Sequence, residues 1–150
     1  MNKEKIILAS IRVSLGFIFL WAFFDKLFGL GFATVAEKAW VNGGSPTFGF
    51  LMFATRGPLT DFYHSLAGNP YIDWLFMIGL LFVGITLFIN KYVKWGSIAG
   101  IAMLLLMYTA VLLPENNPII DDHIVYILVL SYIAIRAEKE EQSNSNLKSK

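Results

Sequence analysis

The chain has 150 residues, enough for one domain, and 56% of them are hydrophobic. The formal net charge of +1 does not favour a nucleic-acid partner. There is no cysteine, which excludes disulfides, thiolate nucleophiles and iron–sulfur ligation by the chain itself. Any redox chemistry must therefore use a bound cofactor, a substrate or a partner.

Apolar segments predict membrane-spanning helices. Each has about the 20 residues needed to cross a hydrocarbon core of about 30 Å, where only helices satisfy their own backbone polar groups. We expect an all-α fold, an integral membrane four-helix bundle over residues 1–137. The charged segment 138–150, rich in Ser and Asn, predicts a disordered cytoplasmic tail. The four predicted helices cover residues 6–24, 72–89, 95–113 and 118–137.

Between the first two helices, residues 25–71 are too long and too apolar for a simple connector. Glycine and proline divide this segment into short pieces. We expect a lid of short interfacial helices at residues 32–41, 46–55 and 58–67, with Trp40 and Tyr63 dipping into lipid.

The basic residues predict the topology. In a four-span chain most of them lie on one side, which the positive-inside rule places in the cytoplasm, and Lys26, Lys38 and Arg56 lie in the long loop on the other side. The protein is then a multi-pass protein of a prokaryotic plasma membrane, with both termini cytoplasmic and residues 114–123 outside. The residues that set this orientation are Lys3, Lys5, Lys91, Lys94, Arg136, Lys139, Lys148 and Lys150.

Small residues recur on the two middle helices, at Gly79, Gly84, Gly96 and Gly100. Such residues let helices approach closely. They indicate packing within the bundle, and the alternative is a homo-oligomer contact.

The turn at residues 114–123 carries three carboxylates, two asparagines and a histidine, with no lysine or arginine. Asn117 and Pro118 have the residue types of an N-cap and a first helical position. The helix dipole favours carboxylates in the turns that follow, which is the purely structural interpretation of Asp121 and Asp122. That interpretation does not explain why a histidine, His123, follows the two aspartates.

Ionisable groups at the edge of a membrane are costly and usually functional. Neighbouring carboxylates and a histidine can move protons to or from a bound molecule. A metal site is the less favoured alternative, because three consecutive helical side chains point in different directions, and we predict no metal. The candidate catalytic residues are Glu115, Asp121, Asp122 and His123.

The first helix ends at Asp25 and Lys26, which reach the same outer level as the acidic turn. Lys26 is the nearest predicted cation for Glu115 or Asp122, and Arg56 is a second. The alternative for Asp25 and Lys26 is a pair of interfacial charges reaching the headgroups. The candidate substrate-binding residues are Asp25, Lys26, Arg56 and Asn116.

Arg12 lies inside the first helix near its cytoplasmic end, about 20 Å along the helix from Asp25, so it cannot join the external cluster. It either extends to the inner headgroups or makes a structural hydrogen bond inside the bundle. The predicted partners for such a bond are Tyr132, Ser131 and Asn90.

One further set of residues forms a recognisable pattern over the whole chain apart from its tail. The set is Arg12, Leu15, Gly16, Asp25, Lys26, residues 42–46, Gly49, Phe50, Asp73, Trp74, residues 114–118 and residues 121–123. In these residues the chain resembles the DoxX/DoxD family of four-helix membrane proteins. The DoxD branch is associated with thiosulfate:quinone oxidoreductase, which joins thiosulfate to tetrathionate and passes electrons to quinone. Other members are linked to thiol and oxidative-stress systems or have no assigned activity.

The resemblance implies a membrane subunit of a quinone-linked oxidoreductase, with quinone as electron acceptor and thiosulfate as a candidate donor. Asp122, His123 and Glu115 would handle protons, while Lys26 and Arg56 would attract an anionic substrate. The second hypothesis is a non-catalytic membrane subunit that docks a soluble redox partner. Small-solute transport is a third hypothesis, but four short spans with few interior charges give it little support.

Overall fold

The computed structural model of the protein describes residues 3–114, 117 and 119–148. Within these residues the fold is all-helical, with 77% helix and no strands. Its α-helices are α1 (Lys3–Phe28), α2 (Thr60–Leu66), α3 (Pro70–Ile89), α4 (Val93–Ala110) and α5 (Asp122–Lys148). The all-α prediction is confirmed.

Among the described residues, three helices rather than the four predicted are long and apolar enough to cross a membrane: α1, α3 and α4. The apolar stretch of α5 between His123 and Arg136 is only about 18 Å long at about 1.5 Å per residue. The rest of α5 is mostly charged and polar. The length and composition of α5 are therefore not enough on their own to identify it as a membrane-spanning helix.

The four long helices share one interior. The helix α1 packs on α3, α3 packs on α4, and α4 packs on α5. A Cβ atom at Gly100 of α4 would lie 2.9 Å from Leu130 Cδ1, 3.2 Å from Val83 Cγ1 and 3.7 Å from the Phe19 ring. Side chains from all four long helices therefore converge at Gly100, and glycine allows that approach. This geometry supports packing within the bundle as the role of the small residues.

The start of α5 differs from the prediction. The helix begins at Asp122, not at Pro118, and its first backbone bond runs from Val125 N–H to Asp121 O. The Asp121 carboxylate accepts from the N–H groups of His123 and Ile124, so Asp121 is the N-cap. The predicted N-cap, Asn117, instead closes a separate turn by accepting from Ile119 and Ile120 N–H.

The end of α5 also differs, because the helix continues to Lys148 where a disordered tail was predicted. Residues 138–142 are Glu, Lys, Glu, Glu and Gln, all good helix formers. Extending an existing helix carries no nucleation cost, so these residues continue α5 beyond its apolar part. Lys94 of α4 adds an ion pair of 2.7 Å with Glu138.

Residues 29–69 are tied to the ends of α3 and α4. The third predicted piece, residues 58–67, contains α2. In place of the first two are 3-10 turns at Ala36–Lys38 and Trp40–Asn42 and a π-helical turn at Phe50–Ala54. The Trp40 ring packs edge-on against Trp74 of α3 at 4.6 Å. Tyr63 does not face lipid as predicted. It is buried, and its hydroxyl donates to Leu106 O at 3.0 Å on α4.

We call the end of the bundle formed by residues 25–73, 108–114 and 119–124 the lid end. The opposite end, formed by residues 3–12, 87–97 and 133–148, is called the tail end. Helices α1 and α4 run toward the lid end, and α3 and α5 run away from it.

Candidate functional site at the lid end

A cleft of about 340 Å³ lies where the long loop meets the start of α5. Its polar lining brings together four of the eight candidate catalytic and substrate-binding residues, and its apolar lining comes from the segment that follows α4. The lining residues are Arg56, Val111, Pro114, Ile120, Asp121, Asp122 and His123. Glu115 and Asn116 lie outside the described residues.

The hydrogen bond between His123 and Asp121 is the main chemical feature of this cleft. Nδ1 of His123 lies 2.7 Å from Oδ2 of Asp121, while the other carboxylate oxygen caps α5. Because an ionised carboxylate only accepts, the imidazole donates through Nδ1. The neutral ring then presents Nε2 as an acceptor, and the cationic ring presents Nε2–H as a donor. This pairing orients the ring for proton transfer at Nε2.

These contacts lower the pKa of the Asp121 carboxyl. Burial acts to raise its pKa, but the hydrogen bond from His123 and the backbone N–H groups of Ile124 and His123 outweigh burial, and the pKa lies below its ordinary value. Asp121 is therefore ionised at neutral pH and available to stabilise a protonated imidazole.

Arg56 reaches the cleft because its backbone is fixed to the end of α4. Its N–H donates to Ala110 O at 2.9 Å, and the residue forms an isolated parallel bridge with Val111. The next residue, Gly57, has φ +87° and a Cβ there would lie 2.9 Å from Leu112 O. Glycine is required at this close crossing, which holds Arg56 beside the start of α5.

The structure places Asp25 and Lys26 in a different group from Asp121 and Asp122. Asp25 is 2% exposed and accepts from the N–H groups of Phe32 and Ala33, at 3.2 and 2.9 Å. The carboxylates that act on Lys26 are Asp25 and Asp73, and its ammonium lies 5.9 Å from the centre of the Phe76 ring. The predicted approach of Lys26 to Asp122 is thus replaced by an approach to α3, because α1 packs on α3.

Asp73 was not among the predicted site residues. It is 6% exposed in the first turn of α3, and its Oδ1 accepts from Ser45 Oγ at 2.8 Å, Thr47 Oγ1 at 2.6 Å and Thr47 N at 3.2 Å. Its signal in the sequence was a carboxylate just after the Asn69 and Pro70 helix start. A carboxylate at this position is readily explained by the helix dipole alone, so the sequence did not indicate that Asp73 also binds residues 45–47 of the loop.

Arg12 makes a structural contact inside the bundle. Its Nη1 donates to Leu87 O and, at 3.5 Å, to Phe88 O, close to the end of α3. These backbone acceptors replace the predicted side-chain partners. Ser131, one of those partners, donates to Ile127 O instead.

Within the part of the chain that the structure describes, no group of three or more His, Cys, Asp or Glu side chains is arranged to hold a metal ion. No family model matches the chain, and the comparisons with curated proteins and with solved structures give no match either. The resemblance to the DoxX/DoxD family therefore stays a prediction, and a function has to be inferred from the geometry of the site.

Proposed function

We propose that the chain is an integral membrane protein of four spans and a subunit of a quinone-linked oxidoreductase, with the lid-end cleft as the place where quinone is reduced. The observation that carries this proposal is the His123–Asp121 pair of 2.7 Å in a cleft that also contains Arg56. An imidazole held by a carboxylate is a common device for moving protons near neutral pH.

The outward faces of the helices support the membrane placement. Large apolar side chains on them are exposed, including Ile7, Leu75, Leu106 and Leu128, which belong to four different helices. So much exposed apolar surface is unusual for a protein in water. In this proposal α5 is the fourth span, with its charged ends at the two interfaces.

Charge at the two ends supports an orientation. Lys3, Lys5, Lys91, Lys94 and Arg136 all belong to the tail end. The positive-inside rule puts that end in the cytoplasm of a prokaryotic plasma membrane and the lid-end cleft on the outer side.

The donor set of the cleft suits a quinone. Val111 and Ile120 provide apolar walls for a ring, and Arg56 and His123 provide N–H donors for carbonyl oxygens. The volume is at the lower end of the range of small-molecule pockets, about 300–1,000 Å³. A bound quinone would supply the two-electron acceptor.

Proton balance gives the His123–Asp121 pair its task. Joining two thiosulfate ions into tetrathionate forms one S–S bond and releases two electrons but no proton. Reduction of a quinone to a quinol takes up those two electrons and two protons. In this proposal the protons come from solvent, and His123 Nε2 delivers them one after the other. Arg56 attracts the anionic donor.

The test is thiosulfate-dependent reduction of a water-soluble quinone analogue by the purified protein. His123→Gln and Asp121→Asn should lower the maximal rate by about 100-fold or more, the usual contribution of a positioned acid or base. Gly49→Ala is the control, because a Cβ at Gly49 meets nothing within 4 Å. Wild-type turnover that both site variants retain in full would refute the proton role.

The alternative is a non-catalytic membrane subunit that docks a soluble redox partner. The absence of cysteine favours it, because the chain has no thiol of its own to relay electrons from sulfur. Stable co-purification with a soluble oxidoreductase, and turnover only in its presence, would favour this alternative over catalysis by the isolated chain.

A further inference from the structure

A second cleft, of about 160 Å³, lies at the tail end between α1 and α5. Three cationic side chains line it, namely Lys5 and Arg12 from α1 and Arg136 from α5. Glu140 is the carboxylate among the lining residues. The proposed redox chemistry uses none of these residues.

Arg136 is the strongest indication that this cleft binds something. Its Nε is enclosed and makes no hydrogen bond within the described residues. A buried guanidinium nitrogen without an acceptor is costly, so an acceptor from outside the chain would stabilise it. By contrast, Lys94, which also lies at the tail end, is paired with Glu138 at 2.7 Å.

Arg12 is fixed in the same cleft by its bonds to Leu87 O and Phe88 O. These bonds orient its guanidinium, so an incoming anion would meet a pre-positioned cation. Lys5 adds a third positive charge. Three cations around one small cleft, opposed by Glu140, match an anion with several acceptor oxygens, and guanidinium groups suit phosphate in particular.

Apolar side chains also line this cleft. Leu8 and Val93 line it beside the cations, and α1 and α5, unlike the neighbouring helix pairs, make no extensive contact with each other. The seam between α1 and α5 is therefore open sideways, where acyl chains would lie if the helices span a membrane. A soluble phosphate would leave this apolar surface uncovered.

We propose that the tail-end cleft binds the phosphate of an anionic phospholipid, with Arg136, Arg12 and Lys5 as the binding residues. This inference rests on the membrane placement in the proposed function and not on the oxidoreductase activity. The lipid would join α1 to α5 and complete the packing of the bundle at its cytoplasmic end.

The test measures lipid binding by native mass spectrometry and by thermal stability in nanodiscs of phosphatidylglycerol or of phosphatidylcholine. The wild type should bind phosphatidylglycerol preferentially and melt at a higher temperature in it. Arg136→Gln should weaken that binding by about tenfold, as expected for the loss of a charge-assisted hydrogen bond. Lys5→Gln, which leaves the Arg12 bonds to α3 intact, should weaken it by a smaller factor. Lys139→Gln is the matched control, because Lys139 is an exposed cation on α5 outside the cleft.

Several results would overturn the proposal. Equal binding of the two lipids, or an Arg136→Gln loss no larger than that of Lys139→Gln, would remove the headgroup site. Binding of inorganic phosphate in detergent as tightly as of phosphatidylglycerol would show that a soluble anion is the ligand. Release of the wild type from membranes by alkaline carbonate would refute the membrane placement itself, whereas loss of quinone reduction with lipid binding retained would refute only the redox proposal.

Discussion

Replacing Asp73 should detach residues 45–47 from the start of α3. Oδ1 of Asp73 accepts three hydrogen bonds, from Ser45 Oγ, Thr47 Oγ1 and Thr47 N. Each bond to an ionised carboxylate stabilises by about 1.5–3 kcal/mol, so three at the low end give about 4.5 kcal/mol. Some relaxation of the loop reduces the loss, and we expect Asp73→Ala to lower the free energy of unfolding by about 4 kcal/mol.

The assay is thermal or denaturant unfolding in detergent, combined with limited proteolysis of residues 29–69. Asp73→Asn keeps an acceptor oxygen and should lose about half as much stability, and Thr47→Val should lose about 1–2 kcal/mol. Asp61→Ala is the control, because Asp61 is exposed in the first turn of α2, and its effect should stay below about 1 kcal/mol. If Asp73→Ala proves no more destabilising or protease-sensitive than Asp61→Ala, the anchoring role of Asp73 is wrong.

Three further predictions concern the packing of the bundle and the N-cap of α5. Gly84→Ala should lower the unfolding free energy by about 1–3 kcal/mol, because the new Cβ would lie 2.7 Å from Leu20 Cγ and 2.9 Å from its backbone N, whereas Gly49→Ala should be neutral in the same melt. Arg12→Gln should cost about 1.5–3 kcal/mol through its lost bonds to α3, and an unchanged melting temperature would contradict that role. The folded-state pKa of Asp121 lies below its ordinary value of 3.8, so the stabilisation from its ionised form is present above the unfolded-state pKa and is lost as pH falls through the folded-state pKa. Unfolding measured from pH 7 to pH 3 should therefore show a shallower acid decline in Asp121→Asn than in the wild type, and equal declines would contradict the assignment.

The positions of the long helices could be predicted from the sequence because long apolar runs have few alternatives. Residues 72–89 and 95–113 were predicted, and α3 and α4 cover Pro70–Ile89 and Val93–Ala110. The start of α5 could not be fixed in the same way, because Asn117 and Asp121 are both competent N-caps. The observed helix is capped by Asp121, whose carboxylate also bonds to His123.

Which polar side chains lie close together at the lid end depends on which helices are neighbours. Local sequence patterns do not determine helix neighbours. The acidic turn was expected to face Asp25 and Lys26, since all of them lie at one end of the bundle. Instead α1 packs on α3, which brings Lys26 toward Asp73, while the bond from Arg56 N–H to Ala110 O places Arg56 in the same cleft as Asp121. The composition of the acidic turn identified the histidine and its carboxylates, but the backbone contacts of the loop determine which cation lines the cleft with them.

Proton uptake in proteoliposomes would show whether His123 delivers protons to a quinone at the lid end. The wild type would be reconstituted with its lid end outward, with thiosulfate and a quinone supplied and a membrane-impermeant pH indicator outside. We expect two protons to disappear from the outer solution for each quinol formed and each pair of thiosulfate ions consumed, and His123→Gln to lower the rate of this uptake by about 100-fold or more. Quinol formation without external proton uptake, or with uptake unchanged in His123→Gln, would contradict this expectation.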